Sequence, residues 1–275
     1  MAALPAVLGG TRHAGRVADD LAVVESGTPG APAVVLLHGI GAGSWMWGRV
    51  APALADLHVL ALDLPGHGDS ARVPWRSLAA TADAVAAVVA RRAAGGTAHV
   101  VGLSLGGYVA LELARRHRAA VQRVVVSGIT VAPMPGRALA GVQGRVFPAL
   151  ARRPGYAERV ARATLPDAAP AERAALVASV RAMAPAAYRA ALRDVAPWRL
   201  PADLAGSGVP VLVAAGSRES GAIRESVTVL PRVVPGARGL LVPGAAHAWP
   251  AHAPETFARV VRAWLLPPEP RVAEV

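Results

Sequence analysis

Three short apolar runs, each ending in a glycine-bearing turn, constrain this chain more than any other feature. Ala33-Val34-Val35-Leu36-Leu37 enters His38-Gly39-Ile40-Gly41-Ala42-Gly43, and residues 58–62 enter Asp63-Leu64-Pro65-Gly66-His67-Gly68-Asp69-Ser70. His99-Val100-Val101 leads through Gly102-Leu103-Ser104-Leu105-Gly106-Gly107 into small and apolar helix formers. Runs of this length without polar alternation predict strands buried on both faces. Residues 121–126 form a fourth, β-branched run. The spacers predict helices over 47–55, over 77–94 with Ser77 as cap and Gly95-Gly96 as stop, and over 104–116. The order β-α-β-α-β-α-β with short connections predicts an α/β fold, a doubly wound and mostly parallel sheet. Sites in such sheets lie beyond the carboxyl ends of the strands, where Ile40 and Ser104 both fall.

The alternation stops after residue 130. From 131 to 202 no strand is evident, and Val142, Val146 and Leu150, then Leu176, Val180 and Met183, then Tyr188, Leu192 and Val195 recur at helical spacing. Prolines separate these stretches, which predict an inserted helical lid. The sheet resumes with strands over 209–215 and 238–242 and a terminal helix over 254–266. The expected organisation is therefore a core of residues 1–130 and 203–275 interrupted by the lid at 131–202. Residues 16–25 are expected to form an antiparallel edge strand after a loose lead-in over 1–15, and the proline-rich tail 267–275 is expected to be mobile.

Composition excludes several classes. There is no cysteine among 275 residues, so disulfides, thiolate metal sites and a cysteine nucleophile are out, and no cofactor or metal is implied. The formal charge is +11, carried wholly by arginine. These arginines are scattered or paired, without a basic run or interleaved aromatics, which argues against nucleic-acid binding. The predicted lid holds 11 arginines and four acids, a net +7. This leaves two readings open: a substrate bearing negative charge, or an ordinary solvated surface. No apolar run approaches the ~18 residues of a membrane span, and the N-terminus lacks the basic region of a signal peptide, so a cytoplasmic protein, monomer or homodimer, is expected.

A serine on a strand-to-helix turn flanked by glycines sits in a strained bend that presents its hydroxyl outward. The glycine loop 39–43 can turn backbone N–H groups toward a developing negative charge, as an oxyanion hole requires, although an ordinary βα loop reads the same way. It is not a G-x-G-x-x-G dinucleotide loop in register. His67 belongs to a dense turn with no acid placed to orient it, and reads as structural.

Taken together, His38-Gly39 followed by Trp45, the Asp63 to Ser70 turn, Gly102-Leu103-Ser104-Leu105-Gly106-Gly107, the Gly216 to Glu219 turn and His247 ahead of Pro254-Glu255-Thr256-Phe257 resemble the α/β-hydrolase superfamily. The resemblance is to its lidded, single-domain branch of esterases, C–C bond hydrolases and cofactor-free haloperoxidases. The resemblance covers nearly the whole chain except the lid. It implies a Ser-acid-His triad: Ser104 as nucleophile, His247 as general base, and the backbone N–H groups of Ile40 and Leu105 as oxyanion hole. His252 is the competing histidine. The acid position usually carries aspartate and here carries Glu219; Glu225 and a Ser-His dyad remain open. Trp45, Met46 and Trp249 are candidates to wall an apolar pocket with the lid. The implied activity is hydrolysis of a small-to-medium carboxylic ester or related acyl compound. The same apparatus serves C–C or lactone hydrolysis or acyl transfer, and a non-catalytic ligand receptor is the reading outside enzymes.

Overall fold

Neighbouring side chains of each central strand enter opposite cores, which is why these runs show no polar alternation. In the computed structural model, which describes residues 10–13, 20–134, 136–153, 155–166 and 168–266, Val35 and Leu37 join one buried cluster while Val34 and Leu36 join another. The first cluster is closed by helices α1 (Leu78–Arg92) and α2 (Leu105–Arg116). The second is closed by Trp47, Trp249 and Phe257 on the other face of the sheet.

The sheet has eight strands, β1 (Thr11–His13), β2 (Val23–Gly27), β3 (Ala33–Leu37), β4 (His58–Leu62), β5 (Ala98–Leu103), β6 (Val121–Ser127), β7 (Val211–Gly216) and β8 (Arg238–Val242). Their order is β1-β2-β4-β3-β5-β6-β7-β8. The first two pairings are antiparallel and β4 to β8 across the sheet are parallel. The chain steps from β3 outward to β4 and then back across to β5. The switch point of the sheet is therefore the crevice between the ends of β3 and β5, where Leu37 pairs with Gly102.

Between β6 and β7 lie four helices, α3 (Ala140–Ala151), α4 (Tyr156–Thr164), α5 (Pro170–Ala182) and α6 (Pro185–Val195), with no strand among the described residues. After β7 come α7 (Gly221–Val233), β8, the short α8 (Trp249–His252) and α9 (Pro254–Leu265). The insertion is tied to the core by polar contacts as well as by packing. Asp194 of α6 accepts from the Trp75 indole N–H at 2.9 Å and from the Leu78 N–H at 3.1 Å.

Three expectations need correction. Residues 47–55 are not one helix but two 3₁₀ turns, Ser44–Trp47 and Ala51–Leu54, because Pro52 cannot donate to a continuous helix. The strand expected at 16–25 begins at Val23 and is not the edge: β1, within the supposed lead-in, pairs outside it. The rest of that stretch, 14–19, and the tail 267–275 lie outside the described residues.

Three buried histidines brace the sheet in the neutral form. His38 Nε2 accepts the Leu64 N–H at 2.9 Å, so its proton sits on Nδ1, which donates to the Gly39 carbonyl at 2.8 Å. His67 packs edge-on against it, 5.1 Å between centroids, and pairs through Nδ1 with the Pro65 carbonyl at 2.9 Å. Burial depresses His38 to about 4 and, with His38 alongside, His67 to about 3. His99, on β5, falls to about 4 through burial and the nearby Arg123 charge. An unfolded chain protonates all three near pH ~6.5, whereas the fold resists, so stability is complete above that pH and declines as pH falls toward 4. Each histidine contributes a slope of about 1.4 kcal/mol per pH unit, and the buried Asp63, whose carboxyl burial raises, acts in the opposite sense. Calorimetric Tm should therefore drop steadily between pH 6.5 and 4.5; a flat profile over that window would contradict neutral buried histidines.

Candidate active site

Ser104 has φ 52° and ψ −115°, and among the described residues it is the one non-glycine with positive φ. Such a conformation costs about 1–3 kcal/mol and persists only where the surroundings enforce it. Here its N–H donates to the Ser127 carbonyl of β6 at 2.8 Å, and its own carbonyl accepts from Gly107 and Tyr108 at 2.8 and 3.2 Å, starting α2. The flanking glycines allow close approach. A Cβ on Gly106 would lie 2.2 Å from the Leu37 carbonyl oxygen, and one on Gly102 would lie 2.2 Å from that of Gly106. The Gly106 N–H also donates to the His38 carbonyl at 3.1 Å, joining the elbow to the loop after β3.

That loop passes directly beside the serine. A Cβ on Gly39 would sit 3.5 Å from Ser104 Cβ, and Ile40 follows at once. Leu105 is the first residue of α2, so its N–H has no carbonyl within the helix to take it. The far end of the loop is held by the buried Asp63, which accepts the Ser44 N–H at 2.6 Å and the Asp69 N–H at 2.9 Å. The Trp45 indole then donates to Ser179 Oγ of α5 at 2.8 Å, fastening the loop to the insertion.

The loops after β7 and β8 bring the third and fourth groups. His247 Nδ1 lies 2.6 Å from Glu219 Oε1, and the other carboxylate oxygen accepts the Gly216 N–H at 2.7 Å. The Glu219 side chain is 1% exposed and the His247 side chain 45%, so the acid is buried behind a partly open imidazole. The carboxylate pairs with Nδ1–H, which leaves Nε2 as the basic nitrogen. Glu225 is exposed on α7 and, among the described residues, makes no hydrogen bond to His247. His252 Nε2 instead meets the Thr164 carbonyl at 3.1 Å.

One residue at this point escaped the sequence reading. Gly128, with φ +71°, lies where a Cβ would come 2.6 Å from His247 Cε1, 2.9 Å from its Nδ1 and 3.4 Å from Glu219 Oε1. Its absent side chain makes the space in which the pair meets. The signal was local, a glycine directly after the Val121–Ser127 strand, but nothing in its spacing pointed to His247.

Ser104 and His247 line one cavity of about 250 Å³, though no hydrogen bond joins them among the described residues. Trp45, Met46 and Ile40 come from the core side of its wall, and Thr164, Leu165 and Leu176 from the insertion. No arginine lines it, so the insertion's positive excess faces elsewhere. Trp249 is not part of this wall and is corrected here. It is fully buried beneath the site, donates to Ser127 Oγ at 2.8 Å and stacks edge-on against Phe257. Its indole fills the second core because α8 turns it inward.

A 109-residue stretch is 37% identical to an AB hydrolase superfamily protein of Gibberella zeae, covering 39% of each chain. An 85-residue stretch is 46% identical to pimeloyl-[acyl-carrier protein] methyl ester esterase of Neisseria meningitidis, covering 30% of this chain and 31% of that one. These curated relatives are thus matched over well under half their length. Among solved structures, a thermophilic esterase from Thermogutta terrifontis superposes with TM-score 0.73 at 24% identity, covering 93% of this chain and 97% of that one. The enol-lactonase from Burkholderia xenovorans does so with TM-score 0.72 at 22% identity, covering 93% and 99%. The family model for the alpha/beta hydrolase family matches residues 34–260, and the chain belongs to that family.

Proposed function

We propose that this protein is a serine hydrolase that cleaves a compact carboxylic ester through an acyl-enzyme. The observation that carries the reading is the shared cavity: Ser104 on its strained elbow and a carboxylate-paired His247 open onto the same apolar space. Ser104 Oγ attacks the ester carbonyl carbon as His247 Nε2 takes its proton. The charge that builds on the carbonyl oxygen is met by the N–H groups of Ile40 and Leu105, a donor pair of which each member is worth about 3 kcal/mol in the transition state. The tetrahedral adduct collapses, the C–O bond to the alcohol breaks, and His247 returns the proton to the departing oxygen. Water then enters with His247 again as base, releasing the acid and restoring Ser104. Glu219 holds the Nδ1–H tautomer throughout and offsets the imidazolium charge.

Cavity chemistry narrows the substrate. At about 250 Å³ it sits just below the usual range for small-molecule sites, and its walls are apolar and uncharged. A short, neutral acyl or alcohol portion fits this space better than an anionic one. The Neisseria relative is named for a methyl ester, a small leaving alcohol, which agrees with this size.

A fluorophosphonate probe should label the wild-type protein and fail to label Ser104→Ala or His247→Ala, each folded by circular dichroism. No labelling of the wild type would overturn the reading. With short p-nitrophenyl esters, Ser104→Ala should lower kcat by about 10⁴-fold or more.

The Glu219–Gly128 arrangement gives a second test. Glu219→Gln removes the charge that fixes the tautomer and should reduce kcat by about 10⁴-fold. Gly128→Ala should push the imidazole aside and lower kcat about 100-fold while KM changes little. In both variants the downfield proton resonance of a carboxylate-bound Nδ1–H should vanish from the NMR spectrum; its persistence with full activity would show that this pair has no part in turnover.

A further inference from the structure

Arg145 of α3 and Arg189 and Arg193 of α6 line a single recess of about 150 Å³ together with Ala140, Gly141 and Gly144. No carboxylate lines it, and among the described residues none of the three guanidiniums pairs with an acid. Arg145 reaches only the Gly141 carbonyl of its own helix, at 3.4 Å. Two other pairs of neighbouring arginines, by contrast, are compensated. Arg91 and Arg92 pair with Asp20 and Glu25, and Arg115 and Arg116 pair with Glu112, Asp203 and Asp83. Asp194, next to Arg193 in sequence, is engaged instead by Trp75 and Leu78.

The convergence is built by packing. A Cβ on Gly144 would lie 3.2 Å from Arg189 Cγ, so the glycine lets the arginine stem cross α3 closely. Phe147 of α3 stacks on Tyr188 of α6 at 4.9 Å, fixing the two helices against each other, and this cluster extends inward to Ile40. The three exposed guanidiniums share the rim of one recess, and a ligand with several anionic oxygens seated there can bridge them. Guanidinium forks match tetrahedral oxyanions through paired N–H···O bonds. The recess holds several water volumes of ~30 Å³, room for such a group.

We propose that this recess is a binding site for a phosphoryl dianion, separate from the ester cavity. Its source is either a soluble phosphate or a lipid phosphate headgroup, since α3 also exposes Val142 (57%) and Val146 (47%) beside the arginines.

The test is titration calorimetry with inorganic phosphate at fixed ionic strength, set by sodium chloride. Wild type should bind with one site, and Arg189→Gln and Arg193→Gln should each weaken binding tenfold or more. Arg145→Gln should weaken it likewise, and Arg162→Gln, on α4 and outside the recess, should bind like wild type. A second arm uses phosphatidylcholine vesicles with and without phosphatidic acid. Association that needs both phosphatidic acid and the three arginines assigns a lipid source; phosphate binding without vesicle association assigns a soluble one. No phosphate binding, or binding that the recess variants and Arg162→Gln reduce equally, overturns the proposal. Because the ester cavity is not probed, failure here leaves the hydrolase reading intact, and the reverse also holds.

Discussion

The close contact between β3 and β5 underlies everything at the site. The two strands pair in parallel with Leu37 level with Gly102, so their following loops emerge side by side from the sheet. The elbow then has to fit against the carbonyl of Leu37, and only glycine at 106 leaves room. This fit holds Ser104 in its unfavourable backbone conformation and places Gly39 beside it. The strain of about 1–3 kcal/mol is small against the burial of strands whose every residue is buried. The serine cannot relax without prising two central strands apart.

Glu219 arrives from the opposite half of the sheet, through β7, and His247 through β8. Glu219 is one methylene longer than the aspartate common at this place in the family. The extra length is absorbed locally: the carboxylate folds back so that one oxygen takes the Gly216 N–H while the other reaches His247. Both oxygens are thereby used, and the ring is given a single partner at a fixed angle. Gly128 completes the fit from a third strand, so the pair depends on β6, β7 and β8 keeping their register.

Much of this could be read from the chain before any coordinates. The buried strands announce themselves because their residues face two cores, and the elbow, the glycine loop and His247 all fall at strand ends. Less was legible where the determining contact is long-range. Trp249 was a candidate for the pocket wall, yet one short helix turns it toward Phe257 and Ser127. The helix expected at 47–55 failed on a local cause, Pro52, that apolar spacing conceals. Gly128 was invisible because its importance lies in a side chain it lacks, facing residues about ninety and one hundred and twenty positions away. The recess on α3 and α6 was hidden likewise: the sequence shows an excess of arginine in the insertion, but not which of them converge.

The Trp45–Ser179 hydrogen bond has an evolutionary corollary. Insertions of this kind are the natural place for a hydrolase to change its diet, since they can be exchanged without touching the sheet. In this chain the exchange is not free. Trp45 belongs to the loop that carries Ile40, and its buried N–H is satisfied by a hydroxyl supplied from the insertion. A replacement lacking an acceptor there strands that donor at a cost of about 1–3 kcal/mol and loosens the loop it anchors. The insertion and the Ile40 loop are thus coupled, and a lineage that trades its insertion must first find another partner for one indole nitrogen.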